Sequence, residues 1–197
     1  MFSIYSVLFL KSLFSFCLYD VVLYSNMLYL YLKHTSIPIV TNFLKNHTYT
    51  KAYLMDLVVV DYPSEKKRFK VIYSLLSYKI NTRLHLVVYV QETEHLLSIS
   101  NIYPASNWLE REVWDMFGIC FFNHPDLRRI FTDYSFYGFA LRKDFPLTGF
   151  LELQYDFNQK RIVQDFVSLS QDVRFFHYQT PWSTQLTSKP TSKKLNG

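Results

Sequence analysis

Between residues 52 and 92 the chain carries three apolar runs rich in Val, Leu and Tyr: Ala52–Tyr62, Phe69–Ser77 and Arg83–Glu92. Each is bounded by Pro, Ser, Lys or Asn, the composition expected of strands. The first two are joined by the short charged loop Pro63–Arg68, and no helical period separates any of the three. That arrangement predicts an antiparallel meander. Upstream, the polar connector Thr35–Thr50 holds a short predicted helix, Pro38–Lys45, with proline in its first turn. Downstream, Pro104 opens a second helix that Ser106 or Tyr103 could cap. Trp108–Phe117 continues it, and Gly118 falls where a left-handed terminating glycine belongs. At about 100° per residue, Ala105, Trp108, Leu109, Val113, Met116 and Phe117 share one face, which predicts the buried side.

After the helix, Ile119–Asn123 reads as a short extended piece. Residues 124–149 are irregular, punctuated by Pro125, Gly138, Pro146 and Gly149. Phe150–Tyr155 and Lys160–Ser168 alternate apolar with polar and predict a hairpin, followed by a polar, basic tail from Ser183. The fold class is therefore α+β: a small, mainly antiparallel sheet with flanking helices and a long irregular C-terminal extension. Three regions follow: an apolar N-terminal extension (1–34), an α+β core (35–123), and an interface segment with hairpin and tail (124–197).

The N-terminal region differs from the rest. Before Lys33 its only charges are Lys11 and Asp20. Leu13–Leu32 has the length of a membrane span, but a central Asp costs about 2.5–3.5 kcal/mol there. The start has no basic segment, and no arginine precedes Arg68, so neither a signal peptide nor an organelle presequence is expected. Three readings stand: a helix or strand buried against partner proteins, which is favoured, a membrane-contacting helix, and a core helix of the same domain. On the favoured reading, deleting residues 1–34 spares the fold of residues 50–182.

Composition narrows the chemistry. The 197 residues include 18 Phe, 16 Tyr and 3 Trp but only 4 Gly. No Gly-rich dinucleotide or nucleotide-phosphate loop is present. The two cysteines, Cys17 and Cys120, are too few for an iron–sulfur cluster or a structural zinc site. The net charge of +5 suits an acidic protein neighbour, an anionic membrane surface or nucleic acid. A basic nucleic-acid-binding module of an organelle is kept as the alternative function. His124, Asp126, Asp133 and Asp144 are interleaved with Arg128, Arg129, Arg142 and Lys143, so mutual neutralisation is expected rather than a metal site.

One stretch is dense with information. It runs Glu110-Arg-Glu-Val-Trp-Asp-Met-Phe-Gly-Ile-Cys-Phe-Phe-Asn-His-Pro-Asp-Leu-Arg-Arg-Ile-Phe-Thr-Asp-Tyr134 and resumes as Leu141-Arg-Lys-Asp-Phe-Pro-Leu-Thr-Gly149. It resembles the signature of the thirty-kilodalton subunit of respiratory complex I, NADH:ubiquinone oxidoreductase. Val60-Asp-Tyr-Pro63, Arg68-Phe69, Lys160-Arg-Ile-Val163 and Pro181-Trp182 extend the resemblance over residues 50–182. One departure lies inside the signature: Gly138-Phe139-Ala140 replaces the usual Gly-His-Pro.

The resemblance implies an organelle-encoded mitochondrial subunit in the matrix-facing arm of an inner-membrane complex. It implies a scaffold without cofactors and without catalytic residues. That scaffold would be set against the forty-nine-kilodalton quinone-site subunit and contribute to NADH-to-quinone electron transfer coupled to proton translocation. Residues 1–34 would add a membrane or accessory-subunit contact.

Interface residues are then expected among Arg128, Arg129, Phe131, Asp133, Tyr134, Arg142, Lys143, Asp144, Phe145 and Trp182. The whole Arg128–Leu147 segment is expected to be covered by another subunit, because so much irregular backbone would otherwise leave polar groups unpaired. Trp108, Trp114, Gly118 and Glu112 are assigned structural roles. Glu112 falls between Trp108 and Met116 on the apolar face. It is therefore expected to ion-pair with Arg128, Arg129, Arg142 or Lys143.

Overall fold

The computed structural model describes residues 10–174 and 176, apart from 26 and 49. Trp182 and the tail from Ser183 lie outside the described residues. Contacts divide the chain into two units, Met1–Leu147 and Thr148–Gly197.

The first unit is built on a five-stranded sheet in the order β1-β2-β5-β4-β3. Its strands are β1 (Leu18–Tyr24), β2 (Met27–Leu32), β3 (Ala52–Asp61), β4 (Phe69–Ser77) and β5 (Thr82–Val90). β3, β4 and β5 form the expected antiparallel meander. Helix α1 (Ile37–Asn46) and helix α2 (Ser106–Phe117) flank the sheet. Leu28, Leu30 and Leu32 of β2, Val71, Tyr73 and Leu75 of β4, and Leu84, Leu86 and Val88 of β5 join one buried cluster. Ile37, Val40 and Leu44 of α1 and Val113 of α2 complete it. This is α+β architecture with a mostly antiparallel sheet.

The N-terminal expectation needs correction. Residues 18–24 and 27–32 are strands of the same sheet, and β2 pairs in parallel with β5, Leu28 opposite Leu84 and Leu32 opposite Val88. Leu10, Phe14 and Cys17 are buried in the same cluster. From residue 10 onward this region is core and not an added surface element. The physical reason is its alternation: Leu28, Leu30 and Leu32 point inward while Tyr29 and Tyr31 point outward, a period of two that a helical reading averages away. No helix among the described residues is long and apolar enough to cross a membrane.

A bulge between Leu54 and Asp56 shifts the alternation of β3 by one residue. Ala52 and Leu54 face inward before it; Leu57, Val59 and Asp61 face inward after it. The bulge therefore sends a carboxylate to the inner face at the strand's end. A short parallel bridge joins β6 (Leu96–Leu97) to β7 (Phe121–Phe122), with Ser98 N–H donating to the Phe122 carbonyl at 2.8 Å. The bridge holds the 96–100 loop beside α2.

Helix α2 ends as expected. Gly118 adopts φ 78°, and its N–H donates to the Trp114 carbonyl at 2.9 Å. Its buried positions, however, are Ser106, Glu110, Arg111, Val113 and Asp115, while Trp108 is 63% exposed. On the wheel, Ser106, Glu110, Val113 and Phe117 cluster on one side, and Arg111 and Asp115 lie nearly opposite. The helix is covered on two sides, by the sheet and by the segment that follows it. Trp108 and Glu112 fall in the open sector between.

The second unit contains the expected hairpin, β8 (Leu151–Asp156) paired with β9 (Arg161–Phe166). Most of its side chains are exposed on both faces.

Candidate functional site

Residues 124–147 form no helix or strand, yet the chain itself holds them at three anchors. The first is Asp115, on the outer side of α2. Its Oδ2 accepts hydrogen bonds from three consecutive backbone amides, Ile130 at 3.1 Å, Phe131 at 2.7 Å and Thr132 at 3.0 Å. Its Oδ1 accepts from the Thr132 hydroxyl and from Arg129 Nη1, the latter at 3.1 Å. Burial alone would raise the Asp115 pKa. The Thr132 hydroxyl and the three amides outweigh it and hold the carboxyl below its ordinary value.

The second anchor is the inward-facing Asp61. Arg68 grips it with two bonds, and the Lys143 backbone N–H donates to its Oδ2 at 2.8 Å. Arg68 also reaches Asp144 at 2.8 Å and approaches Glu92 at 3.6 Å. Arg142 ion-pairs with Glu92, and its Nε donates to the Phe117 carbonyl at 2.7 Å. Hydrogen bonds from Arg68 lower the pKa of both Asp61 and Asp144. Two arginines and three carboxylates thus clasp the 142–144 turn to the ends of β3, β4 and β5.

Between these anchors sits Phe139. Its ring centroid lies 4.5 Å from the Arg142 guanidinium and 5.3 Å from that of Arg129, and it meets Trp114 edge-on at 6.0 Å. The ring lies directly over Gly118, where any Cβ would collide with it. The departure from Gly-His-Pro thus puts an uncharged ring between two cations. Gly138 (φ 110°) is similarly roofed by Phe145.

The third anchor is Glu110, fully buried among the helix, the 96–100 loop and His124. It accepts from Ser98 Oγ at 2.6 Å and from the Ile99 N–H at 2.9 Å. His124 Nδ1 accepts from the Asp126 N–H at 3.1 Å. Its Nε2 therefore carries the proton and faces the Asn107 carbonyl at 3.2 Å, with Glu110 at 3.9 Å. Burial raises the Glu110 pKa, an effect the Ser98 and Ile99 bonds only partly offset.

One sequence expectation is corrected by this geometry. Glu112 has no basic group within 4.0 Å among the described residues. The carboxylate that ties α2 to an arginine is Asp115, one turn nearer the helix end, because the segment packs on the outer side of the helix. Part of the Arg128–Leu147 backbone finds its acceptors within the chain: Asp115 takes the amides of Ile130, Phe131 and Thr132, Asp61 that of Lys143, and the Met116 carbonyl that of Leu141.

The remaining residues divide clearly. Arg129 and Arg142 are turned inward. Arg128 is exposed and pairs with Asp126 at 2.9 Å, while its carbonyl accepts from Arg111. Lys143 lies over the ring of Tyr62. Phe145 is half-buried beside Phe136. Trp108 stacks under the Arg111 guanidinium at 4.8 Å. Phe131, Asp133 and Tyr134 face solvent. With Tyr137 and Leu147 they form an outward strip; Tyr134 is 88% and Leu147 89% exposed. Sequence reasoning missed Asp61, Arg68, Glu92, Glu110 and Asp115. The inward parity of β3 after its bulge marks Asp61, and the shared wheel position of Ser106, Glu110 and Val113 marks Glu110. What the arrangement does chemically is to brace an irregular ledge that leaves aromatic and apolar side chains facing outward.

Residues 30–151 match the family described as the 30 Kd subunit of respiratory-chain NADH dehydrogenase. NADH dehydrogenase [ubiquinone] iron-sulfur protein 3 of Beta trigyna is 50% identical over 141 residues, 71% of this chain and 73% of the relative. NADH-ubiquinone oxidoreductase subunit 9 of Reclinomonas americana is 45% identical over 166 residues, 84% and 81% of the two chains. A chain of the archaeal membrane-bound sulfane sulfur reductase, a respiratory membrane complex, shares the fold with a TM-score of 0.60 at 20% identity, covering 71% of this chain and 84% of its own. The name of the Beta trigyna relative mentions iron–sulfur. The residues here do not fit such a group: a cluster takes about four Cys or His ligands, among the described residues no three His, Cys, Asp or Glu side chains gather as metal ligands, and Cys17 is buried in the apolar core.

Proposed function

Because the chain belongs to the small-subunit family of respiratory-chain NADH dehydrogenase that its residues 30–151 match, we propose that it is a cofactor-free scaffold of the hydrophilic arm of complex I. In this reading it performs no redox step itself. It holds neighbouring subunits, chiefly the forty-nine-kilodalton quinone-site subunit, in the geometry that NADH-to-ubiquinone electron transfer and coupled proton translocation require. Its place is the matrix-facing arm of the mitochondrial inner-membrane complex. Family membership supports the first part.

The observation that carries the scaffold role is the contrast within residues 128–147. Arg129, Arg142 and the amides of residues 130–132 and 143 find their partners inside the chain, while Phe131, Tyr134, Tyr137, Leu141 and Leu147 are left exposed. Exposed aromatic and apolar side chains on a braced ledge are what a buried protein contact needs. The second unit adds the same signature. A two-stranded hairpin is marginal alone, and Phe157 and Phe166 are more than four-fifths exposed.

The test is replacement of the chain in cells by Leu147→Asp with Tyr134→Ala. The expected result is loss of the chain from the assembled complex on native gels, with ubiquinone-linked NADH oxidation falling in parallel. Full assembly and activity with this variant overturns the scaffold reading.

A further inference from the structure

A second surface is built on different chemistry. At one end of the outer sheet face, Lys70 of β4 lies opposite Tyr89 of β5 in register, and its ammonium sits 5.9 Å from the ring centroids of both Tyr89 and Tyr31. The two rings are stacked on each other, 6.2 Å apart and 13° from parallel. Beside them, Lys33 and Lys67 converge on Tyr19 of β1, at 6.0 and 5.8 Å. Four tyrosines and four lysines, counting the Lys143–Tyr62 pair, therefore alternate across one surface contributed by β1, β2, β4, β5 and neighbouring loops.

The charge balance of this surface is incomplete. The arginines of the neighbouring clasp take up Asp61, Glu92 and Asp144. No lysine forms an ion pair among the described residues. The lysine ammoniums rest on tyrosine rings instead, which orients them without neutralising them. Tyr19 is 64% exposed, so the patch is open to solvent, and its tyrosine hydroxyls are hydrogen-bond donors alongside the ammoniums.

We infer that this tyrosine–lysine patch is a docking surface for an acidic peptide segment of a neighbouring protein. Charge complementarity selects an anionic partner. The acids bordering the patch select its shape. Asp20 lies opposite Tyr31 across β1 and β2, and Glu65 sits in the β3–β4 loop, so a continuous anionic surface such as a lipid bilayer or a nucleic-acid backbone meets repulsion at the rim. A short acidic strand passes between them, its carboxylates on the lysines and its stem carbons on the rings. This surface is separate from the 128–147 ledge, and the inference does not depend on that ledge being an interface.

The full chain is titrated with a poly-glutamate peptide, with phosphatidylcholine vesicles containing cardiolipin, and with a single-stranded oligonucleotide. The expected result is salt-sensitive binding of the peptide, weakened about tenfold by Lys67→Glu with Lys70→Glu. Arg83→Glu, at the opposite end of the same strands, leaves that affinity unchanged. Circular dichroism checks that all variants fold. In the assembled complex, zero-length carbodiimide coupling is expected to join Lys67 or Lys70 to carboxylates of an adjacent subunit. Tighter binding of the vesicles or oligonucleotide than of the peptide overturns the inference. So does peptide binding unaffected by the double reversal, or the absence of any such crosslink.

Discussion

The Arg68 guanidinium holds Asp61 in a two-point grip, Nε to Oδ1 at 2.7 Å and Nη2 to Oδ2 at 2.9 Å. A lysine at this position keeps the charge but not the planar fork. Arg68→Lys is expected to lower the unfolding free energy by about 1–3 kcal/mol, because a single ammonium cannot keep both bonds to Asp61 and the bond to Asp144. Denaturant unfolding of the full chain measures this. A variant as stable as the parent would show that Lys143 and Arg142 suffice to hold the turn.

Asp115 is the organising acceptor for residues 129–132. Asp115→Ala leaves three amides and the Thr132 hydroxyl without their acceptor and takes from Arg129 its carboxylate partner, while the Arg129 bonds to Thr132 Oγ and the Gly138 carbonyl remain, at an expected cost of about 3–5 kcal/mol. Hydrogen exchange reads the local effect: the amides of Ile130, Phe131 and Thr132 lose protection, while β4 and β5 keep theirs where the variant remains folded. Unchanged protection at 130–132 refutes this assignment.

Glu110 and Asp115 give opposite pH dependences. The folded pKa of Asp115 is lowered, so its stabilisation is present above the ordinary carboxylate value of about 3.9 and is lost as pH falls through the folded value. The folded pKa of Glu110 is raised by burial. Its contribution is complete below about 4.3 and is lost as pH rises through the folded value. Glu110→Gln is therefore expected to remove a decline in stability on the alkaline side of pH 4, and Asp115→Asn a decline on the acid side. Thermal melting across pH 3–7 tests both signs.

Gly118→Ala is expected to destabilise by about 1–3 kcal/mol, since a positive φ and the Phe139 ring both oppose a side chain there. Gly118→Ala combined with Phe139→Ala is expected to recover only the steric part due to the ring, since the positive φ remains and Arg142 Nη2 also lies 2.8 Å from the added Cβ. A double-mutant cycle separates the two, and strict additivity would mean that ring and glycine are uncoupled.

Much of this fold is written locally. The meander and the Gly118 terminus depend on neighbours in sequence, so alternation and a lone glycine suffice to place them. The charged clasp depends on contacts that periodicity cannot see. Asp115 and Glu112 both carry a carboxyl side chain and stand three residues apart. What distinguishes them is the path of residues 129–132 over the far side of the helix, which no wheel drawn for a two-layer packing anticipates. Arg129 reads as an outward anchor because irregular backbone normally needs outside partners, yet here Asp115 accepts from three of its neighbouring amides and from Arg129 itself. The N-terminal strands are hard to see in the sequence because their apolar outward residues, Tyr29 and Tyr31, blur the alternation that marks a half-buried strand.

The parallel seam between β2 and β5 bears on how the polypeptide is made. Ribosomal synthesis proceeds from the N-terminus, so Leu28, Leu30 and Leu32 emerge well before Leu84, Leu86 and Val88, the strand they pair beside. The β1–β2 hairpin cannot complete its sheet until both α1 and the meander have been translated. Assembly of this core is long-range, and hence slow, and the nascent apolar edge stays open to chaperones or to misassociation throughout that interval.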